Sequence, residues 1–195
     1  MTSISFPRVF LPCAALLLIL LYAASAHADQ VKIIYGFDRE FPPFTFERDG
    51  KPTGFDIDLL NAIFEGQDVK ISYRPMQFDR MLYDLSGGQI HLASTLVRTE
   101  HREQLYLFSD RAYVPLKMKL FTKVKDRVAH PRMLRGKRVA VKKDTLYQIT
   151  LEEYGGLNMK PFDTDLEALE ALQNEEVEAF GGADRTIYYL IRKQG

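Results

Sequence analysis

The sequence predicts an α/β fold of two lobes, each with a central, mostly parallel sheet flanked by helices. Short strand-like runs rich in Val, Ile, Tyr and Phe alternate with amphipathic helical stretches along most of the chain. Glycine pairs such as Gly87-Gly88 and Gly155-Gly156 close the helical stretches. The alternation is broken once, by an extended run at residues 113–121 carrying Pro115, which reads as the crossing from one lobe to the other. These features divide the chain into a leader (1–28), a first lobe (29–114) and a second lobe (115–195).

The leader has the form of a secretory signal. Arg8 supplies the positive charge, residues 14–24 form the apolar centre, and Ala26-His27-Ala28 offers a small-x-small cleavage site. The apolar run is shorter than the roughly 20 residues that span a bilayer. Cys13, the only cysteine, precedes most of it and leaves with the leader, so no disulfide braces the mature protein. The 26 basic and 26 acidic residues balance. That balance speaks against a nucleic-acid or anionic-membrane partner, which would require a basic excess.

The first lobe opens with a strand at 31–35. A helix follows in which Phe55, Leu59, Ala62 and Ile63 share a face; Asp56 is a candidate cap, and Asp56 and Asp58 are expected to make capping and inter-segment hydrogen bonds, not ligand contacts. A second strand is expected at 69–73, then a helix with Phe78, Met81, Leu82 and Leu85 as its apolar stripe. A third strand at 90–95 leads to a short helix at 99–104. In the second lobe a strand is expected at 136–141. Thr145 with Gln148, and Thr164 with Glu167, have capping-box spacing for the two helices after it. Leu166, Leu169 and Leu172 form the apolar face of the second of these. Strands at 159–162 and 177–180 and a helix at 184–191 complete the pattern.

No enzyme motif stands out. The chain lacks His-Glu-x-x-His and Gly-x-Ser-x-Gly, and no cysteine remains as a nucleophile. His91, His101 and His130 lack metal-ligand spacing, and the glycine pairs lack a phosphate-cradling context. No catalytic group, metal or cofactor is expected.

Phe41-Pro42-Pro43-Phe44-Thr45-Phe46 follows Asp38, and Gly54-Phe55-Asp56-Ile57-Asp58-Leu59 comes after it. This pair of motifs resembles the opening of the extracellular solute-binding proteins of family 3, the periplasmic receptors of polar amino-acid importers. The resemblance runs through nearly all of the mature chain. It implies the bilobed type II periplasmic-binding-protein fold and a small polar or carboxylate-bearing ligand held between the lobes. It further implies a monomer in the periplasm that delivers its ligand to an inner-membrane ABC permease.

Residue by residue, the resemblance makes Arg102, three residues after Thr99, the group that grips a ligand carboxylate. It gives Ser94 and Thr95 hydroxyl or backbone contacts and Phe41 a stacking role. Thr145 belongs to the carboxylate-binding turn of the second lobe, and Asp38 or Asp184 would serve an amine. A planar guanidinium suits a carboxylate because it bonds both oxygens together.

The departures from the family are specific. Val97 stands where a small hydroxyl residue is usual, Asp144 and Leu146 flank Thr145 in place of Gly and Thr, and Ala183 holds the ammonium-binding aspartate's place. Relative to the family, the chain is expected to lack the C-terminal return segment, which leaves the first lobe incomplete. Two rival readings follow from similar domains. One is a ligand-sensing extracytoplasmic domain of a signalling protein. The other is an exported dehydratase-like enzyme with Asp144 as its acid.

Overall fold

The computed structural model describes residues 30–194, so the expected signal segment lies outside the described residues. In the first lobe, β1 (Val31–Asp38) and β5 (Val69–Met76) form a two-stranded sheet. Leu92 adds a parallel bridge to Tyr35. The strand expected at 90–95 is reduced to that bridge, because the segment turns away to place Ser94 and Thr95 beside the helix that follows the meander.

That meander is antiparallel and consists of β2 (Glu40–Phe41), β3 (Thr45–Arg48) and β4 (Lys51–Thr53). It delivers the chain to α1 (Phe55–Phe64) through Gly54, whose φ of 127° and 2.2 Å approach of a would-be Cβ to the Phe44 carbonyl oxygen admit only glycine. Gly54 is therefore the N-cap, and Asp56 lies inside the first turn instead of capping it.

The face α1 buries is Ile57 and Leu60, packed on Tyr35 and Phe37. This differs from the Phe55–Leu59–Ala62–Ile63 stripe, of which Phe55 and Ile63 are exposed among the described residues. The helix α2 (Phe78–Ser86) follows expectation, with Met81 buried and Phe78, Leu82 and Leu85 packed around it, Met76 and Ile90. A one-turn helix α3 (Glu100–Glu103) starts at Thr99, whose hydroxyl accepts from the Arg102 amide at 3.2 Å.

The second lobe is a four-stranded sheet in the order β6-β9-β7-β8. Here β6 is Met118–Phe121, β7 Arg138–Lys142, β8 Asn158–Phe162 and β9 Ala179–Ala183. β7 runs parallel to β8 and β9, and β6 is antiparallel to β9. The two central strands are buried on both faces, as parallel strands covered by helices must be. Val139, Val141 and Ala179 face α4 (Leu146–Tyr154) through Leu151. Ala140 and Phe180 face α5 (Asp165–Gln173) and α6 (Asp184–Gln194) through Ala168, Leu169 and Ile187.

Both Thr164 and Glu167 close a complete capping box at α5, with bonds of 3.0 and 3.1 Å. At α4 only half of the expected box forms. Thr145 accepts from the Gln148 amide, but the Gln148 side chain bonds the Asp144 amide and Glu152. Along α5, Leu166 is exposed and the small residues Ala168 and Ala171 take the buried positions with Leu169 and Leu172.

Candidate functional site

The carboxyl ends of β1 and β7 meet across a cleft, the usual place for a ligand in open α/β sheets. Asp38 ends β1 and Lys142 ends β7, and the Lys142 ammonium donates to the Asp38 carboxylate at 2.7 Å. Each side chain is only about one-twentieth exposed, so this ion pair is buried where the two lobes meet. Around it lies a cavity of about 540 Å³, counted to its open mouth.

Asp38, Phe41, Ser94, Thr95, Arg102 and Thr145 all line this cavity. The first-lobe wall is held by Asp56. Its carboxylate accepts from the hydroxyls of Ser94, Thr95 (3.3 Å) and Tyr113 (2.9 Å), and the Tyr35 hydroxyl shares the Ser94 oxygen. Burial pushes the Asp56 carboxyl up, against the pull of the three hydroxyl bonds. Burial also raises Tyr113, to beyond the usual phenol range, with the Asp56 charge adding to it. Thr95 sits at φ 53°, a left-handed conformation that a β-branched residue rarely adopts, with its amide held by the Tyr113 hydroxyl at 3.2 Å. The hydroxyls of Ser94 and Thr95 are thus committed to the protein.

Arg102 is different. Its guanidinium donates to the Val97 carbonyl at 3.0 Å and lies 5.9 Å from the centre of the Phe78 ring, yet no carboxylate pairs with it among the described residues. Glu103, its nearest candidate in sequence, is taken by Arg98 at 3.0 Å. Burial lowers the Arg102 pKa from the ordinary guanidinium range, which is the mark of a cation removed from water. Phe41 stacks on Phe44 at 5.5 Å and presents an aromatic wall to the same space.

On the second-lobe side the Thr145 hydroxyl donates to the Lys142 carbonyl at 2.7 Å while it caps α4. Tyr147 and Leu146 supply further wall, and burial pushes the Tyr147 phenol up to about 12. Asp184 does not line the cavity. It begins α6, its carboxylate accepts from the Arg185 amide at 2.8 Å, and its own amide bonds Lys117. Asp144 is exposed at a φ of 59° and also lies outside the cavity, which removes the candidate acid of the dehydratase reading.

Two charged cleft residues escaped the sequence reading. They are Lys142, at the end of β7, and Asp165, in the first turn of α5. Lys142 follows an apolar strand directly, and that was the one available signal for it.

A two-lobed α/β protein with a buried, charged cleft at its strand ends belongs to the class of small-solute receptors. The chain is a member of the bacterial extracellular solute-binding proteins, family 3, whose model matches residues 33–184. The PatH protein of Vibrio harveyi, assigned as an amino-acid ABC transporter-binding protein, is 31% identical over 86% of this chain and 68% of its own length. The arginine-binding periplasmic protein of Mannheimia haemolytica is 28% identical over 91% of this chain and 73% of its own. Among solved structures, the arginine-, lysine-, histidine-binding protein ArtJ of Geobacillus stearothermophilus superposes with a TM-score of 0.76 and 26% identity, covering 83% of this chain and 71% of that one.

Proposed function

We propose that this protein is an exported, monomeric receptor that captures a small carboxylate-bearing, amino-acid-like solute between its lobes and presents it to an ABC importer in the inner membrane. Family membership supports the receptor role and an extracytoplasmic location. The reading gives the periplasm as the compartment, the passage between lobes in the run of residues 113–121 with the boundary after residue 114, and binding without chemical change of the ligand.

One observation carries the reading: the half-buried Arg102 guanidinium, without a carboxylate partner among the described residues, in the wall of the cleft. A buried cation without a counter-ion is costly, and a ligand carboxylate supplies one. Phe41 and Val97 bound the ligand's apolar surface.

Thermal unfolding with a panel of amino acids and small organic acids tests the proposal. A ligand at about a hundred times its Kd adds roughly 2.7 kcal/mol, equivalent to a Tm rise of about 5–10 °C at this size. Arg102→Ala is expected to weaken that ligand by at least roughly 30-fold, since truncating one partner of a buried charged pair costs about 2–5 kcal/mol. Affinity within twofold of wild type removes the carboxylate clamp from the mechanism.

A further inference from the structure

Two side-chain hydrogen bonds join the lobes among the described residues. One is the Lys142–Asp38 pair inside the cleft, and the other lies outside it. There the Arg48 guanidinium, from β3, donates to the Tyr189 hydroxyl of α6 at 3.1 Å. The Tyr189 ring lies 5.8 Å from the ring of Phe46, two residues before Arg48 on the same strand. Arg48 also covers the Phe46 ring at 5.1 Å, and Lys193, one turn along α6, sits 5.8 Å from the centre of the Tyr189 ring. Each lobe thus gives one ring and one cation to the contact, and none of the four lines the cavity.

Both sides of this contact are tied to the run that carries the chain from one lobe to the other. Phe46 stands opposite Thr53 in the meander, two residues ahead of Phe55, whose ring stacks on Tyr113 at 6.3 Å. On the other side Tyr188, the neighbour of Tyr189, packs edge-on against Phe121 of β6 at 5.4 Å, and its hydroxyl accepts from Lys119 at 3.1 Å. Both sides also reach the cleft. Phe46 faces Glu40 across the β2–β3 pair, next to Phe41 of the cavity wall. The helix α6 continues from β9, which pairs with the strand that ends in Lys142.

Among the described residues the chain passes between the lobes once, between α3 and β6. A single attachment leaves two bodies free to twist and tilt as well as to open. A second attachment beside it leaves one axis. Motion about one axis brings the same two walls together at every closure, which is what hinge closure around a solute requires.

We infer that Phe46, Arg48 and Tyr189 form a second, non-covalent hinge point that confines the lobes to one opening motion and keeps Arg102 in register with the second-lobe wall. They are positioning residues, and none of them touches the solute. The purpose of the hinge point rests on the receptor reading, whereas its geometry does not.

Spin-label distance measurements on the purified protein test it without any solute. The labels go on Lys70→Cys in the first lobe and Glu153→Cys in the second, both exposed, in a Cys13→Ser background. The parent protein is expected to show narrow distance maxima. Tyr189→Ala and Phe46→Ala, one from each lobe, should each replace them with a broad distribution. The double variant should be no broader, because either change alone already removes the contact. Tyr188→Ala takes away a neighbouring tyrosine that packs only within the second lobe, and it should leave the maxima narrow. Similar urea midpoints for Tyr188→Ala and Tyr189→Ala would show that the broadening is not loss of folding.

Narrow maxima in both single variants, equal broadening in Tyr188→Ala, or a double variant broader than either single one overturns the hinge point and leaves the receptor reading standing. Failure of every amino acid and organic acid in the thermal screen removes the receptor reading and leaves the hinge point in place.

Discussion

The two walls of the cleft each bury an aspartate, and the protein treats them in opposite ways. Asp56, in the first lobe, is met at Oδ2 by three hydroxyls drawn from segments far along the chain, while its Oδ1 is buried without a partner. Asp165, in the second, is about as deeply buried and is met by none among the described residues. Desolvation raises both carboxyls. The difference lies in what each charge is for. Asp56 is a structural anchor: it fixes the turn of residues 94–95 and shapes the first-lobe wall. Asp165 is left with unused bonding capacity in the place where a solute enters. Burial alone does not distinguish a binding residue from a structural one, whereas the count of partners does.

The strongest way to break this comparison is to remove the anchor. Asp56→Ala strands three hydroxyls in a part-buried site and frees the left-handed Thr95, and it is expected to cost about 3 kcal/mol in urea unfolding. A loss under about 1 kcal/mol would place Asp56 beside Asp165 as a residue the fold does not need.

The opposite substitution should carry the opposite sign. Burial holds the folded Asp165 carboxyl up at about 6, well above the ordinary aspartate range. Its ionised form therefore disfavours the folded state at every pH above 6, and the penalty disappears as pH falls toward 4. Asp165→Asn is accordingly expected to stabilise the ligand-free protein by about 2 kcal/mol at pH 7.5, with the gain nearly gone at pH 4. Destabilisation at pH 7.5 would show that the carboxylate has a partner within the protein.

A smaller effect sharpens the picture of how Asp165 is held. Thr164→Ala removes the side-chain half of the capping box and should cost about 1 kcal/mol in the same assay. With α5 frayed at its start, Asp165 can reach water, so its titration should move back toward the ordinary carboxylate range.

What the sequence revealed follows the range of the interaction responsible. The capping box of Thr164 and Glu167 is local, spanning three residues, and it was legible. So was the apolar stripe of α2, because its partners lie in adjacent segments. Asp56 does not cap the helix because Gly54, packed against the Phe44 carbonyl, takes that place, and the inter-segment hydrogen bonds that were its other expected role are the ones it makes. The hydroxyls that claim Asp56 arrive from positions 94, 95 and 113, which no local pattern connects to it. The strand expected at 90–95 had the right composition, but its last residues are pulled to Asp56 and out of the sheet. Asp184 was expected in the cleft, but β9 runs on through Ala183 and delivers it to the start of α6. Asp165 was invisible for a related reason. An acidic residue after a capping threonine is ordinary on any helix, and only the meeting of β1 with β7 makes this one unusual.

The ion pair between Asp38 and Lys142 has a consequence for how such a receptor switches. Its partners belong to different lobes, so it is dry only while the lobes are together, and parting them returns both charges to water. The Coulombic attraction of a buried pair is largely offset by the lost hydration, which leaves its net contribution near zero. It therefore acts as a latch with almost no preferred position, open or shut. The balance between the two forms then rests with the solute, and a difference of a few kcal/mol in its affinity for them is enough to carry the population across.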